Sequence, residues 1–231
     1  MIRQIEGRNP VHEVLKTKKH ITKIFVEENK QDNVKVKKIL ELARQKKVHV
    51  EVKQFISNLA KTPRHQGVIA YVEDQEYKLK DLEMPSFVVV VSGVDYEHNL
   101  GSIIRSAESA GANAIIVPRK TEISPVVVKS SAGASEHIPI IKMDIFTALK
   151  ELRHSGLKVI ALKEDSKLNL FKSNLNCPIV IIVGKEDTGV NTGLDKYVDE
   201  FLSIPMYGHL SSLNMAVAAS VAMFETVRQK R

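Results

Sequence analysis

The sequence predicts an α/β protein in which a parallel sheet, formed within residues 87–231, follows a smaller α/β/α domain at residues 1–75. Short β-branched runs alternate with helical segments after residue 87, and apolar residues in the first part follow strand and helix spacing in turn. A polar stretch separates the two parts. Near-continuous apolar strands that alternate with helices are typical of a parallel sheet covered on both faces.

The amino-terminal part consists of short alternating elements. Pro10 stands where a helix can begin, and IFVEE, DNVKVKKILELARQKK and VHVEV predict a strand, an amphipathic helix and a second strand. A short helix at ISNLAKT and a strand at GVIAYV are expected next. The polar EYKLKDLEMP then ends on Pro85, which favours an interdomain linker at residues 76–86.

The carboxy-terminal part contains the apolar runs FVVVVSGV, NAIIVP, IPIIKM, KVIALK and PIVIIVG, which predict the strands of the parallel sheet. The last segment, SLNMAVAASVAMFETVRQKR, predicts a helix that begins with small residues and ends basic. Small residues permit close packing, so this helix is expected to line a cofactor pocket or a dimer interface.

The charge favours a polyanionic partner. The net charge is +7 and the isoelectric point is about 9.3, and each phosphate that Lys or Arg neutralises releases condensed counterions. RNA, DNA and an anionic membrane surface all remain open, and lysine-rich helix faces are also common as plain solvated surfaces. No apolar run approaches the roughly 20 residues of a membrane span. The lone Cys177 and the absence of a signal-peptide layout favour a cytoplasmic protein.

Polar residues follow the predicted strands, where ligands bind in open α/β sheets. The first cluster, after FVVVVSGV, places Asn99 near the start of a helix and Arg105 about two turns further on. The second, after PIVIIVG, contains Gly184, Glu186 and Gly189. A capped helix with a surface arginine and a plain strand-to-loop turn are the alternative interpretations of these two clusters.

A third cluster joins the last strand to the carboxy-terminal helix and runs from Ile204 to Asn214. Ser211 and Ser212 are candidate N-caps of that helix, which is the plain structural interpretation of either serine, and Asn214 is expected inside its first turn. The chain has no G-x-G-x-x-G after a strand and no G-x-x-x-x-G-K-[ST], which argues against dinucleotide binding and P-loop nucleotide hydrolysis. It has no compact His/Cys spacing of the zinc type, so no metal is expected.

Together, DYEHNLGSIIRSAESAG, VGKEDTGV and SIPMYGHLSSLNMAVAASVAMFE resemble the three successive motifs of the SpoU (TrmH) family of SPOUT RNA 2′-O-methyltransferases. SSAGASEHIPI resembles the segment between the first two motifs in the RlmB-like branch, which methylates guanosine in 23S rRNA. IEGRNPVHEVL and TPRHQGVIA resemble the ends of that branch's substrate-binding domain, which is similar to ribosomal protein L30e. The resemblance covers nearly the whole chain.

The resemblance implies a deep trefoil knot in the carboxy-terminal sheet, a rare exception to the rule that chains do not thread loops. It also implies that S-adenosylmethionine (SAM) binds within the knot and that the protein is a homodimer through its carboxy-terminal helix. The positions that match cofactor-binding residues are Gly184, Gly189, Ile204, Met206 and Leu213.

The positions that match catalytic residues are Asn99, Arg105, Glu186, Ser212 and Asn214. A guanidinium stays protonated at accessible pH, so Arg105 is expected to clamp a phosphate and stabilise a developing alkoxide rather than to accept a proton. Arg8, Arg64 and His65 are the candidate RNA-binding residues of the first domain.

The expected function is methylation of a ribose 2′-hydroxyl by SAM, in a guanosine of 23S rRNA. A tRNA enzyme, another rRNA enzyme of the antibiotic-resistance type, and a non-catalytic RNA-binding or ribosome-assembly protein are the alternatives. The last of these would bind RNA without binding SAM.

Overall fold

In the computed structural model the described residues are 2–184, 189–190 and 192–231. The strands are β1 (Ile2–Glu6), β2 (Ile21–Glu27), β3 (Val50–Lys53), β4 (Val68–Glu73), β5 (Phe87–Val91), β6 (Ala114–Pro118), β7 (Ile140–Met143), β8 (Lys158–Leu162), β9 (Ile179–Val183) and β10 (Glu200–Leu202). The α-helices are α1 (Arg8–Lys16), α2 (Val34–Gln45), α3 (Glu97–Ser109), α4 (Pro125–Ser130), α5 (Ile145–His154) and α6 (Met215–Lys230).

The described chain divides into two units. The first unit comprises residues 2–76 together with Ile123–His137, and the second comprises Tyr77–Glu122 and Ile138–Arg231. The stretch Ile123–His137 is termed the inserted segment below. The sequence pattern predicted this segment to belong to the second domain at residues 87–231, whereas in the structure it packs in the first unit.

The sheet of the first unit has the strand order β1-β4-β2-β3. Strand β4 is antiparallel to both of its neighbours, and β3 is parallel to β2. Helix α1 buries Val11, Val14 and Leu15, which are spaced to form one apolar face. These side chains pack with the buried strand residues and with the apolar face of α2 in a single core cluster.

The inserted segment completes that core although it lies far along the chain. Its helix α4 packs against β1 and α1, and Val128 is fully buried among the apolar residues of the first unit. Gly133 has a φ of 93°, and a Cβ atom there would lie 2.9 Å from the Glu13 Cβ and 3.1 Å from the Pro10 Cα. Only glycine fits this conformation so close to α1.

A buried ion cluster fastens the inserted segment to the amino-terminal strands. Glu136 is 3% exposed and accepts hydrogen bonds from both terminal nitrogens of Arg3, at 3.0 and 2.9 Å, and from the Lys19 ammonium at 3.0 Å. Burial alone would raise the pKa of Glu136, but the charges and hydrogen bonds of Arg3 and Lys19 outweigh it and hold the pKa below its ordinary value. The carboxylate therefore stays ionised inside the unit.

Several local predictions differ from the structure. ISNLAKT forms turns rather than a helix, because the buried carboxylate of Glu6 takes the amide hydrogens of Lys61 and Thr62 and holds the segment in an irregular path. Helix α1 begins at Arg8, so Pro10 lies in its first turn. The strands β1 and β10 were not predicted.

The sheet of the second unit has the order β10-β8-β9-β5-β6-β7, and every neighbouring pair is parallel. All residues of β5 and β9 are buried, as expected for central strands covered on both faces. The chain runs outward from β5 through β6 to β7, then crosses to β8 and returns to pair β9 with β5. The carboxyl ends of all these strands share one edge, and the strand order reverses at the β5–β9 pair.

Within the described residues, no helix is both long enough and apolar enough to cross a membrane.

Replacement of Glu136 by Gln should destabilise the first unit strongly, because it leaves the buried Lys19 without its counter-ion and Arg3 with Asp74 as its remaining acidic partner. Breaking a buried ion cluster from one side costs about 3–5 kcal/mol of unfolding free energy, which urea denaturation at pH 7 would measure. The contribution of Glu136 is fully present above its ordinary pKa of 4.5 and is lost as the pH falls through its lower folded value. The variant and the wild type should therefore have similar free energies of unfolding at acid pH.

The matched control is Glu51→Gln, because Glu51 also contacts two lysines, Lys23 and Lys53, but does so at the surface. Exposed ion pairs contribute little, so this variant should denature like the wild type. Equal stability of Glu136→Gln and Glu51→Gln would contradict the structural role given to the buried cluster.

Candidate functional site

A pocket of about 430 Å³ opens at the carboxyl ends of β8, β9 and β10 in the second unit. It is lined by Leu162, Lys163, Glu164, Val183, Gly184, Gly189, Leu202, Ile204, Met206, Ser211, Ser212, Leu213, Asn214, Met215 and Ala218. Ligand pockets of proteins span roughly 300–1,000 Å³, and the carboxyl ends of parallel strands are where open α/β sheets bind ligands. Size and position both suit a small-molecule ligand, and this pocket is termed the cofactor pocket below.

The five positions that the sequence predicts to bind a cofactor all lie on the wall of this pocket: Gly184, Gly189, Ile204, Met206 and Leu213. They come from two stretches that are distant in sequence, one directly after β9 and one after β10. The pairing of the strands within one sheet brings these stretches together. Their binding of a cofactor stays a prediction.

Two glycines let the backbone fold tightly at the pocket. A Cβ atom at Gly184 would lie 2.1 Å from the carbonyl carbon of Gly189 and 2.4 Å from the Val190 nitrogen. Gly189 itself has a φ of 64°, a conformation that side chains rarely adopt. The close approach therefore requires glycine at position 184, and the positive φ favours glycine at position 189.

A side-chain contact joins the first and third polar clusters. The Asn214 Nδ2 atom donates to Asn99 Oδ1 at 3.3 Å, while Asn214 Oδ1 accepts from the Ala216 amide at 2.9 Å. Asn214 is thus the N-cap of α6. The expectation that Ser211 or Ser212 caps this helix was wrong, since both hydroxyl-bearing residues lie before the cap and line the pocket.

The remaining catalytic candidates lie at different places. Arg105 is on the exposed side of α3 and is not part of the described pocket wall. Its helix packs on α6, where the Ser106 and Ser220 hydroxyls form a 2.7 Å hydrogen bond. The structure therefore keeps Arg105 on the helix that carries Asn99 in its first turn, and Arg105 is exposed to solvent. Glu186 lies outside the described residues.

The part of the wall that follows β8 was not predicted. Leu162, Lys163 and Glu164 line the cofactor pocket, and KVIALK was interpreted only as a strand. The same rule that identified the other clusters, polar residues just after a buried parallel strand, would have found Lys163 and Glu164.

In the described ranges no group of three His, Cys, Asp or Glu side chains is placed to hold a metal ion.

The first unit contains a basic pocket of about 400 Å³, lined by Arg8, Asn9, Asn33, Val34, Lys35, Lys38 and Gln66. Its wall carries cationic and amide side chains and no carboxylate. The amino-terminal ends of α1 and α2 both reach this pocket, where the positive ends of the helix dipoles add to the positive potential. The arrangement suits a phosphate group.

The other two RNA-binding candidates lie beside the basic pocket. The Arg8 amide donates to Gln66 Oε1 and the Arg8 Nε atom donates to the Gln66 carbonyl, both at 3.1 Å. Arg64 and His65 precede Gln66 in the same loop. The exposed Arg64 has its carbonyl bound by the Lys129 ammonium of the inserted segment at 2.6 Å. The structure thus brings the three predicted residues to one surface.

Comparison with protein families matches both parts of the chain. Residues 86–224 match the SpoU rRNA methylase family, and residues 4–78 match the RNA 2′-O ribose methyltransferase substrate-binding family.

Individual relatives agree with these matches. A protein of Staphylococcus haemolyticus assigned to the TrmH family of tRNA/rRNA methyltransferases is 32% identical over 239 residues, covering 98% of this chain and 95% of that protein. A SAM-bound rRNA methyltransferase from Sinorhizobium meliloti superposes with a TM-score of 0.82 at 25% identity, covering 98% and 87% of the two chains. The TrmH/SpoU tRNA-modifying enzyme of A. aeolicus matches 64% of this chain and 78% of its own, with a TM-score of 0.57 and 25% identity.

The fold and the matched residues define a two-part RNA-modifying enzyme with a substrate-binding unit and a methylase unit. The chain belongs to the SpoU (TrmH) family of RNA 2′-O-ribose methyltransferases.

Replacement of Gly184 by Ala should weaken SAM binding, because the new methyl group has to displace the Gly189 backbone at the pocket. Overpacking of this kind costs about 1–3 kcal/mol, so the dissociation constant measured by calorimetry should rise roughly 5- to 150-fold. Gly208→Ala is the matched control, since a Cβ at Gly208 meets nothing within 4 Å. Unchanged SAM affinity in a folded Gly184→Ala protein would show that the loop contact does not shape the binding site.

Proposed function

We propose that this enzyme methylates the ribose 2′-hydroxyl of a guanosine in 23S rRNA, with SAM bound in the cofactor pocket. The observation that supports it is the convergence of the five predicted cofactor positions on one pocket, beside the Asn99–Asn214 contact. SAM supplies an electrophilic methyl group on a sulfonium, so the protein has to bind it and present a ribose oxygen in line.

The cofactor pocket fits SAM in size and chemistry. Its apolar wall, from Ile204, Met206 and Leu213, suits the adenine ring. The strand-end backbone near Gly184 and Gly189 offers amide and carbonyl groups that can bond the polar parts of the molecule, and Glu164 adds a carboxylate for hydroxyl or ammonium groups. The rRNA methyltransferase of Sinorhizobium meliloti crystallised with the same cofactor bound.

The same proposal includes the trefoil knot. What supports it is that two separate stretches of the chain form one pocket wall, the first represented by Val183, Gly184 and Gly189 and the second running from Leu202 to Asn214. In the proposed path the second stretch passes through the first before α6 begins. Binding of SAM between the stretches would then join both segments of the knot.

In the proposed mechanism Arg105 acts by charge. Its guanidinium holds a phosphate next to the target ribose and stabilises the negative charge that develops on the 2′-oxygen. Asn214 caps α6 and contacts Asn99 at the start of the arginine-bearing helix, so this pair positions Arg105 relative to the pocket. Ser212 on the pocket wall is available to bond the ribose.

The first unit supports ribosomal RNA as the substrate. The rRNA methyltransferase of Sinorhizobium meliloti matches 98% of this chain, whereas the tRNA-modifying enzyme of A. aeolicus matches only 64%. Folded RNA is recognised mainly through phosphates, 2′-hydroxyls and unpaired bases. The basic pocket with Arg8, together with Arg64 and His65 beside it, supplies a surface of this kind.

A homodimer through α6 is also proposed. Val217 and Phe224 are 49% and 48% exposed on that helix, and residues seven apart lie on one helix face. An exposed apolar stripe on an otherwise well-packed helix is suited to a second copy of the chain. A monomeric mass by light scattering at micromolar concentration would contradict this part of the proposal.

The direct test is transfer of labelled methyl from SAM to total RNA of a strain that lacks the gene, followed by nuclease digestion and nucleoside analysis. Label in 2′-O-methylguanosine of 23S rRNA is expected. Label in tRNA or in another nucleoside would show that the enzyme acts on a different RNA or nucleoside. RNA binding without SAM binding would favour a non-catalytic RNA-binding protein.

Arg105→Ala should slow methyl transfer strongly while SAM affinity stays within a few-fold of wild type, because Arg105 stands outside the described cofactor-pocket wall. Loss of one charge-stabilising group costs about 10²–10³ in rate, which single-turnover methyl transfer would resolve. A large loss of SAM affinity in this variant would overturn the role given to Arg105.

Arg8→Ala and Lys38→Ala should each weaken RNA binding and flatten its salt dependence, since each side chain neutralises one phosphate in the proposed complex. The slope of log K against log salt should fall by about 0.7–0.9 for each phosphate that is no longer neutralised, as measured by filter binding at several salt concentrations. Lys37→Ala is the control, because Lys37 lies on the same helix but outside the pocket and pairs with Asp32. Slopes that match those of the control would show that the basic pocket does not hold RNA phosphates.

A further inference from the structure

A second pocket, of about 270 Å³, opens at the carboxyl ends of β5, β6 and β7. Its volume is just below the roughly 300 Å³ at which pockets for whole small molecules begin, so it suits a fragment of one. Ser92, Arg119, Asp144 and Phe146 stand on its wall. Among the described residues, none of the catalytic or cofactor positions of the three motifs lies on that wall, so those positions leave this pocket unused.

The second pocket adjoins the cofactor pocket across the β5–β9 pair. The Val183 carbonyl, at the cofactor pocket, accepts hydrogen bonds from both the amide and the hydroxyl of Ser92, at 2.9 and 3.2 Å. Neighbouring strands lie about 4.8 Å apart. A base in the second pocket can therefore carry its ribose toward the cofactor pocket, which is the geometry that methyl transfer to a 2′-oxygen requires.

One side of the second pocket is apolar. Met143, Leu194 and Phe146 contribute to it, and the Phe146 ring is 39% exposed. Phe146 makes a T-shaped contact with Tyr197, with ring centroids 6.3 Å apart. A partly exposed aromatic ring held in place in this way is suited to stacking against a planar base.

The polar side of the pocket offers a specific pattern of acceptors. Asp144 Oδ1 already accepts from the amide and the hydroxyl of Thr147, at 2.9 and 2.8 Å. These hydrogen bonds, assisted by the charge of Arg119, hold the pKa of Asp144 below its ordinary value, so the side chain is a carboxylate at neutral pH. A carboxylate has about four acceptor positions, and within the described residues the two on Oδ2 remain.

We propose that this pocket receives the guanine base of the nucleotide to be methylated, with Asp144 Oδ2 accepting from both N1–H and the 2-amino group. Guanine presents two adjacent donors on its Watson–Crick edge, whereas adenine and cytosine each place an acceptor beside their amino group. Phe146 packs on the ring, and the exposed Arg119 holds a phosphate of the same strand. This inference rests on the proposed 2′-O-methyltransferase function and adds to it the residues that select the base.

The test uses Asp144→Asn in the full-length protein. Asn caps a helix as well as Asp does, so α5 keeps its start, while the amide nitrogen turns a donor toward the base donors. Once the modified nucleotide is mapped, single-turnover methyl transfer at saturating SAM is measured on a short RNA with guanosine or inosine at that position. Inosine lacks the 2-amino group, so wild type should methylate it at least about tenfold more slowly.

Asp144→Asn should methylate the guanosine RNA at least about tenfold more slowly than wild type, with unchanged SAM affinity, and should no longer distinguish guanosine from inosine. Phe146→Ala should lower the methyl-transfer rate by a similar factor on both RNAs, whereas Phe146→Leu should retain part of the wild-type rate. Glu151→Gln, an exposed change in the last turns of the same helix, is the control and should behave as wild type.

Failure of this inference is distinguishable from failure of the proposed function. A wild type that neither binds SAM nor methylates RNA would remove the proposed function. A wild type that methylates guanosine and inosine equally well, or modifies another nucleoside, would overturn the base-selecting role of the pocket, as would an Asp144→Asn rate on guanosine within twofold of wild type.

Discussion

The pairing of β5 with β9 is the contact on which the second unit depends. It runs in parallel register from Phe87 with Ile179 to Val91 with Val183, and every residue of both strands is buried. The two strands end at the same edge although Ser92 and Val183 lie 91 residues apart. The cofactor pocket and the second pocket lie on opposite sides of this one pair.

Much of this arrangement could be predicted from the sequence because the strands are simple apolar runs. FVVVVSGV and PIVIIVG predict their strands directly, and the rule that ligands bind beyond the carboxyl ends of such strands identified the clusters that contain Gly184 and Ile204. Strand β10 was missed because it has only three residues, EFL, and takes its place through pairing with β8 rather than through any pattern of its own.

The features that escaped prediction depend on partners far away in sequence. Glu136 in the inserted segment meets Arg3 at a separation of 133 residues, and no local pattern indicates that an acidic residue after SSAGA belongs to the amino-terminal core. The irregular path of ISNLAKT has the same origin, since helical spacing there is overridden by the buried carboxylate of Glu6. Asn214 is the N-cap because α6 begins at Met215. The sequence alone left that start ambiguous, since Ser211 and Ser212 nearby are also good N-cap residues.

The discontinuity of the first unit has a consequence for how the protein is made. During synthesis its amino-terminal sheet emerges from the ribosome before Glu136, so Lys19 still lacks its counter-charge and Arg3 has only Asp74 as an acidic partner. At elongation rates of about 5–20 residues per second, the roughly 60 residues between β4 and that glutamate take about 3–12 s to add. During this interval the nascent unit is incomplete and depends on chain that belongs in sequence to the catalytic half. Co-translational maturation of the RNA-binding half is therefore coupled to translation of the methylase half.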